Sequence, residues 1–237
     1  MGLERGPALK RSEGESLALT TTRLYTQRFP WARECQLYVP TESRLLISPR
    51  ILKVWRFAAS GSTYTDLTAN TTDRDSATTG SISAILSTAF IYISSNYRFR
   101  GFYCNMSSSV NANAATLTIG YWNGTAWGAV AGGSDGTASG GATFAVDGEV
   151  SWTLPSDEVT TDVNGVLGAY WIRLSVSATL SASTAIEELI LLHQNVNYDY
   201  IQGGLHTFNC DQVGGFVALV DAGTATGRVN WHGFSGD

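Results

Sequence analysis

The sequence predicts an all-β protein, an antiparallel β-sandwich or jelly roll with an extended N-terminal arm and a C-terminal extension. Short runs of aromatic and β-branched residues recur about every ten residues, and turns rich in Gly, Asn, Asp and Ser separate them. No stretch of about twelve residues combines a helical repeat of apolar residues with capping residues. This pattern is typical of sandwiches and barrels.

Local patterns predict the strands of the sandwich individually. Asn123-Gly124 is a strong hairpin signal between apolar runs at 117–122 and 126–130. Further strands are predicted at 146–154, 170–176 and 186–192. Before this hairpin, a Ser-Ser-Asn turn at 94–96 separates two other apolar runs. In the second of them, the side chains expected to face the core are Tyr97, Phe99 and Phe102, with Arg98 and Arg100 facing outward.

Two segments of the sandwich region are expected to depart from the strand pattern. Residues 132–141 are dense in glycine, which favours a flexible or tightly curved loop. The segment Ser156–Val163 is the nearest candidate for a helix, because Ser156 can cap it and two acidic residues fall in its first turn.

The charge distribution divides the chain of 237 residues. Residues 1–56 contain ten Lys or Arg against five acidic residues, whereas residues 57–237 contain five basic residues against fifteen acidic ones. We therefore predict three regions: a basic N-terminal arm for anchoring at 1–56, a β-sandwich at 57–192, and a C-terminal β extension and tail at 193–237. We expect the C-terminal region to pair with the N-terminal stretch in a second small layer.

The stretch Arg23–Arg56 interleaves arginines with aromatic and aliphatic residues, and three prolines favour short extended pieces over one long helix. A nucleic-acid surface would use such residues, but the acidic remainder of the chain would repel a polyanion. A protein interface is favoured, because Arg and aromatic residues are enriched at interface hot spots. The alternative is that these residues form strands on the main core. The candidate partner-binding residues are Arg23, Arg28, Trp31, Arg33, Arg44 and Arg50.

The three cysteines, Cys35, Cys104 and Cys210, cannot all pair within one chain, and their wide spacing predicts buried, reduced thiols. Neither CxxC nor HExxH occurs, so we expect no metal and no cofactor. The charged N-terminus does not fit a secretory signal, and no apolar stretch approaches the roughly twenty residues of a membrane span. We expect no membrane partner and folding in a reducing cytoplasm.

We expect no enzymatic activity and no catalytic residues. Acidic pairs such as Asp157-Glu158 occur by chance in any acidic β protein, and neither GxSxG nor a Cys with a nearby His accompanies them. Asp66, Asp73 and Asp75 could bind calcium, but a solvated Thr-rich loop is the favoured interpretation.

Four tryptophans lie within about fifty residues of one another. Trp122 and Trp127 flank the predicted hairpin turn and are candidate glycan-binding residues, because indole faces stack on sugar rings. Trp152 and Trp171 lie within alternating strands, which favours a place in the core.

Three motifs resemble a β-sandwich module of virion structural proteins from tailed bacteriophages. They are YWNGTAW (Tyr121–Trp127), VSWTLPSD (Val150–Asp157) and YWIRLSV (Tyr170–Val176), and the likeness covers about Asp66 to Leu192. Related modules tend to have a tryptophan where this chain has Glu158, which puts a contact at that loop in doubt.

The resemblance implies a non-enzymatic virion protein that is assembled in the bacterial cytoplasm. The primary expectation is a capsid decoration or cement protein that binds the major capsid protein or other virion proteins through its N-terminal region. A homo-oligomer such as a trimer fits symmetric assembly. The alternatives are a tail, baseplate or fibre-adaptor protein, or a carbohydrate-binding module that recognises host glycans.

Overall fold

The computed structural model describes residues 10–83, 85, 88–194, 199–210 and 213–234. The described strands are β1 (Lys10–Leu19), β2 (Leu24–Gln27), β3 (Ala32–Val39), β4 (Ser43–Pro49), β5 (Ile51–Ala58), β6 (Thr63–Asp66), β7 (Gly80–Ser81), β8 (Phe90–Ser95), β9 (Phe99–Met106), β10 (Leu117–Trp122), β11 (Trp127–Ala129), β12 (Ala131–Asp135), β13 (Gly148–Thr153), β14 (Thr161–Val163), β15 (Val166–Val176), β16 (Ala185–His193), β17 (Asp199–Ile201), β18 (Gly204–Asn209), β19 (Val213–Leu219) and β20 (Ala225–Phe234). One short helix, α1 (Thr68–Thr72), lies between β6 and β7. The prediction of an all-β fold is confirmed.

The chain forms two compact units. One consists of residues 1–47 and 197–237, and we call it the terminal unit. The other consists of residues 48–196, and we call it the sandwich unit. The sequence placed the divisions after residues 56 and 192, whereas the structure places them after 47 and 196. The shift at the first division arises because β5 pairs with β8 of the sandwich unit.

The terminal unit contains two four-stranded sheets, in the orders β1-β20-β3-β18 and β17-β4-β19-β2. The pairing of β1 and β3 with β20 confirms the expectation that the C-terminal region joins the N-terminal stretch. Cys35, Leu37 and Val39 alternate along β3 and point into a buried core, as the two-residue period of a strand requires. Phe216 and Trp231 stack within the same core.

The sandwich unit contains a seven-stranded sheet and a five-stranded sheet. The first has the order β11-β10-β15-β8-β5-β6, with β14 paired to β15, and the second has the order β12-β13-β9-β16-β7. Side chains from both sheets share one buried apolar cluster, including Ile93 from β8, Phe102 from β9 and Leu189 from β16. This shared core confirms the predicted β-sandwich.

Phe99 and Phe102 are fully buried as expected, although they are an odd number of residues apart. An irregularity in the register between β9 and β16, where Gly101 pairs with Leu192 but Phe99 pairs with His193, lets both rings face inward. The expectation for Tyr97 is wrong, because it precedes β9 and its side chain is 40% exposed.

Two local expectations were also wrong. The predicted loop at 132–141 begins with most of β12, which pairs with β13. The segment Ser156–Val163 is not a helix: it forms a turn and then β14. Asp157 and Glu158 are held there by Tyr121 and Arg98 respectively, and these contacts outweigh a weak capping preference in a stretch rich in β-branched residues.

All three cysteines are buried and reduced, as predicted. Burial raises the pKa of the Cys35 and Cys104 thiols well above their usual value. Cys35 and Cys104 are therefore neutral at physiological pH, and a neutral thiol is a poor nucleophile.

Candidate ligand-binding site

The seven-stranded sheet carries aromatic side chains on the face opposite to the sandwich core. Successive side chains of a strand point to opposite faces of the sheet. In β5, Val54 faces the sandwich core, whereas Trp55 and Phe57 face away from it. We call the following eight side chains the aromatic face: Trp55, Phe57, Tyr64, Phe90, Tyr92, Trp122, Trp127 and Trp171.

The rings of the aromatic face form a continuous network. Tyr92 lies at its centre, with ring centroids 5.5 Å from Trp127, 6.1 Å from Tyr64 and 6.3 Å from Trp171. Trp122 extends the network at 5.6 Å from Trp127. Most of these contacts are edge-to-face or tilted, which the quadrupoles of aromatic rings favour.

Arg173 fixes part of this network from a neighbouring strand. Its guanidinium lies 4.5 Å from the centroid of Phe90 and 4.9 Å from that of Trp127. Cation–π contacts of this kind stabilise a ring in one orientation. Burial raises the pKa of Tyr92, and the nearby Arg173 opposes that effect only in part. Tyr92 is therefore a neutral side chain that contributes a ring and a hydroxyl.

A cleft of about 250 Å³ opens on the aromatic face. Its aromatic lining consists of Tyr64, Tyr92, Trp122 and Trp127, and its polar lining consists of Thr161, Asp162 and Asn164. Tyr92 is buried, whereas the other three rings are partly exposed. The cleft thus presents an apolar surface beside hydrogen-bonding groups, which is the usual composition of a small-ligand site.

The hairpin turn brings the two cleft tryptophans together. Trp122 and Trp127 are directly opposite in the β10–β11 pair, so both point to the same face. Asn123 Oδ1 accepts hydrogen bonds from the backbone N–H groups of Thr125 and Ala126. Gly124 has φ of 96°, a value that favours glycine. The predicted hairpin is confirmed.

The polar side of the cleft is held by hydrogen bonds from β15. The buried Trp171 donates its indole N–H to the Thr161 carbonyl at 3.1 Å. Asp162 Oδ1 accepts a hydrogen bond from the Gly168 amide at 2.7 Å. These two bonds fix β14 against β15 and set the position of the Asp162 carboxylate at the rim.

The six candidate partner-binding residues lie in both units. Arg23, Arg28, Trp31, Arg33 and Arg44 belong to the terminal unit, and Arg50 belongs to the sandwich unit. Arg23 and Arg50 are exposed. Trp31 is buried against Phe29, whose ring stacks on it at 5.2 Å. The buried Arg28 donates a hydrogen bond to the Ala32 carbonyl, so Arg28 and Trp31 support the fold.

Within the terminal unit, Arg44 forms an ion pair and Arg33 lines a cleft. Arg44 forms an ion pair with Asp221 at 2.5 Å. Arg33 lines a cleft of about 570 Å³ together with Arg11, Glu34 and His232. Arg11 contributes to the same region by placing its guanidinium over the Trp31 ring. The sequence did not reveal this cleft, because its residues come from three strands.

The carboxylates considered for chemistry have structural partners. Tyr121 donates its hydroxyl to Asp157 Oδ1 at 2.9 Å, and this bond raises the pKa of Tyr121. Arg98 donates to Glu158 Oε2 at 3.0 Å and to the Pro155 carbonyl. Burial raises the pKa of Glu158, and Arg98 opposes this effect. These contacts fold the loop that follows β13 against the sandwich.

Asp66 and Asp73, which we considered as calcium ligands, accept hydrogen bonds in turns. Asp66 forms an ion pair with Lys53 at 2.5 Å and accepts from the Thr68 amide at 2.9 Å. Asp73 accepts from Thr78. Among the described residues, no three His, Cys, Asp or Glu side chains are grouped as a metal site requires.

Trp152 and Trp171 are both buried, but only Trp152 lies in the sandwich core as predicted. Trp152 packs between the sheets, whereas Trp171 lies under the aromatic face. Tyr64 and Tyr92 also line the cleft and were not among the predicted site residues. The alternation of aromatic residues in Phe90-Ile91-Tyr92 was a usable signal for one of them.

Comparison with protein-family models and with curated proteins found no match for this chain. The described part of the chain contains no helix with the length and apolar character that a bilayer crossing requires.

Proposed function

We propose that this protein is a non-enzymatic structural component of a bacteriophage virion, in which the terminal unit anchors the chain and the sandwich unit is displayed. The decoration or cement role on the capsid shell is the specific form of this proposal. The motifs Tyr121–Trp127, Val150–Asp157 and Tyr170–Val176 support the virion assignment through their resemblance to known virion modules.

The order of the two units along the chain supports different roles for them. The sandwich unit, residues 48–196, is inserted between the two segments of the terminal unit. Both ends of the inserted unit therefore connect to the same folded body, through β4 on one side and the segment before β17 on the other. Insertion of one domain into another is tolerated where the ends of the insert lie at the surface. Such an arrangement suits a body that binds a scaffold and a module that is presented.

The basic residues of the first part of the chain support a role for the terminal unit in attachment. Arg23 is exposed just before β2, and Arg33 and Arg11 line the larger cleft. Arginine is enriched at protein interfaces because it combines an apolar stem with a planar set of donors.

Complementation tests this proposal. A phage that lacks the protein is supplied with the full-length wild-type chain or with Arg23→Glu, and purified virions are analysed by quantitative mass spectrometry. We expect the wild-type chain in the virions and Arg23→Glu at several-fold lower occupancy. Arg228→Glu is the matched control, because Arg228 is also exposed in the terminal unit but lies outside the basic stretch. Absence of the wild-type chain from virions contradicts the virion role, and equal occupancy of both variants contradicts the anchoring role.

A further inference from the structure

We propose that the cleft on the aromatic face binds one sugar ring of a neutral glycan. Its lining joins the partly exposed rings of Tyr64, Trp122 and Trp127 to the polar groups of Asp162 and Asn164. This site is separate from the anchoring role proposed above, so the failure of either proposal leaves the other standing.

The aromatic part of the cleft matches the apolar faces of a pyranose. The C–H groups on one face of a sugar ring form an apolar patch, which packs against an indole or phenol ring. Trp122 and Trp127 contact each other at an interplanar angle of 63°, so they form two adjacent walls at an angle. A cleft with angled walls and a buried Tyr92 holds a ring-shaped ligand better than a flat surface does.

The walls of the cleft are ordered before a ligand arrives. Trp127 is held by Tyr92 on one side and by the Arg173 guanidinium at 4.9 Å. Asn123 fixes the turn that carries Trp127. A preordered site loses little conformational entropy on binding, and this favours recognition of a small, weakly apolar ligand.

The polar rim supplies groups for sugar hydroxyls. Asp162 Oδ1 is occupied by the Gly168 amide, which fixes the carboxylate, and Asp162 Oδ2 has no hydrogen-bond partner among the described residues. The Asn164 amide beside it can both donate and accept. The carboxylate oxygen accepts hydrogen bonds from sugar hydroxyls and the Asn164 amide N–H groups donate to them, which orients the sugar on the aromatic walls.

Charge selects among sugars at this site. The rim carries the Asp162 carboxylate, whereas the nearby cation Arg173 is stacked on Phe90 and Trp127. A sialic acid, uronic acid or sulfated sugar would bring a second anion to this rim and would be repelled. The cleft therefore favours neutral hexoses and N-acetylhexosamines over anionic sugars.

The test uses the full-length chain on an array of neutral, sialylated and sulfated oligosaccharides, followed by titration calorimetry with the best neutral ligand. We expect binding to neutral glycans only. We expect Trp127→Ala to weaken binding by roughly tenfold or more, as truncation of a central aromatic contact does. Asp162→Asn is a milder change that keeps an acceptor for the Gly168 amide, and we expect it to weaken binding several-fold. Tyr97→Ala, an exposed aromatic of the same unit, is the control and should bind normally.

Several results would overturn the proposal. These are no binding to any neutral glycan, preferential binding to anionic glycans, or unchanged affinity in both Trp127→Ala and Asp162→Asn. A shift from oligomer to monomer in Trp127→Ala, without glycan binding by the wild type, would instead assign the aromatic face to contacts between copies of the chain. Thermal unfolding of each variant separates loss of the site from loss of the fold.

Discussion

Asn111 gives the sharpest stability prediction for the sandwich unit. Its side chain is 2% exposed and joins three loops. Its Nδ2 donates to the Thr143 carbonyl and the Asn113 carbonyl, both at 2.9 Å. Its Oδ1 accepts from the backbone amides of Ser181 at 2.9 Å and Asn113 at 3.0 Å. The substitution Asn111→Ala removes all of these bonds together.

The size of the effect follows from which partners stay buried. Thr143 is fully buried and Ser181 is partly buried, so water cannot readily replace both lost bonds. A buried polar group without a partner costs about 1–3 kcal/mol, and two such groups give an expected loss of about 2–6 kcal/mol. The exposed Asn113 recovers its bonds from water. At about 2–4 °C per kcal/mol for a domain of this size, the loss corresponds to a fall in melting temperature of roughly 4–24 °C.

Urea unfolding followed by tryptophan fluorescence measures this loss, because Trp152 and Trp171 are buried in the sandwich unit. Asn113→Ala is the matched control: its exposed side chain donates one bond to the Thr179 carbonyl, and we expect a change within about 0.5 kcal/mol. A loss below about 1 kcal/mol for Asn111→Ala, or one equal to the control, would show that the three loops are not held by this side chain.

Three further predictions concern titratable groups. Burial raises the pKa of Glu158, and Arg98 opposes this effect. The contribution of Glu158 to the free energy of unfolding is therefore present below its unfolded pKa and is lost as the pH rises through its folded pKa. Glu158→Gln should flatten the change in unfolding free energy between pH 4 and 7, and an unchanged slope would contradict this. Burial raises the pKa of Asp66, but hydrogen bonds from Lys53 and Thr68 outweigh that effect and lower it overall; its contribution is therefore present above the unfolded pKa and is lost as the pH falls through the folded pKa. Asp66→Asn should reduce the loss of stability between pH 5 and 2, and identical acid titrations of both proteins would refute it. Because the three thiols are buried and reduced, a thiol-specific reagent should label none of them in the native protein and all of them in urea. Rapid labelling of the native protein would show that the units open.

Much of the fold could be predicted from local patterns. The Asn123-Gly124 turn predicts the β10–β11 pair and therefore the meeting of Trp122 and Trp127. Alternation predicts that Ile172, Leu174 and Val176 of β15 face the sandwich core, and it therefore puts Trp171 on the opposite face of the sheet. The hairpin and the two faces of a strand are determined by residues that are close in sequence, so a turn signal or a two-residue period is enough to predict them.

The rest of the site depends on pairings between distant strands. Tyr64 reaches Tyr92 only because β5 lies between β6 and β8 in the sheet, and no local pattern specifies that order. The buried Glu158 is paired with Arg98, which lies 60 residues earlier in the chain, and no local pattern links the two residues. Asn111 lies in a Ser- and Asn-rich stretch that has the composition of a solvated loop. Asn111 is buried because three loops that are distant in sequence meet at its side chain, and the local sequence does not show this.

Cryo-electron microscopy of purified virions that carry a label on this chain would show directly whether the protein is a virion component and which unit attaches it. We expect labelled density at regular positions on the particle, with the terminal unit in contact with other virion proteins and the sandwich unit exposed to solvent. Unlabelled particles would contradict the virion assignment. Labelled particles in which the sandwich unit makes the attachment would contradict the division of roles between the two units.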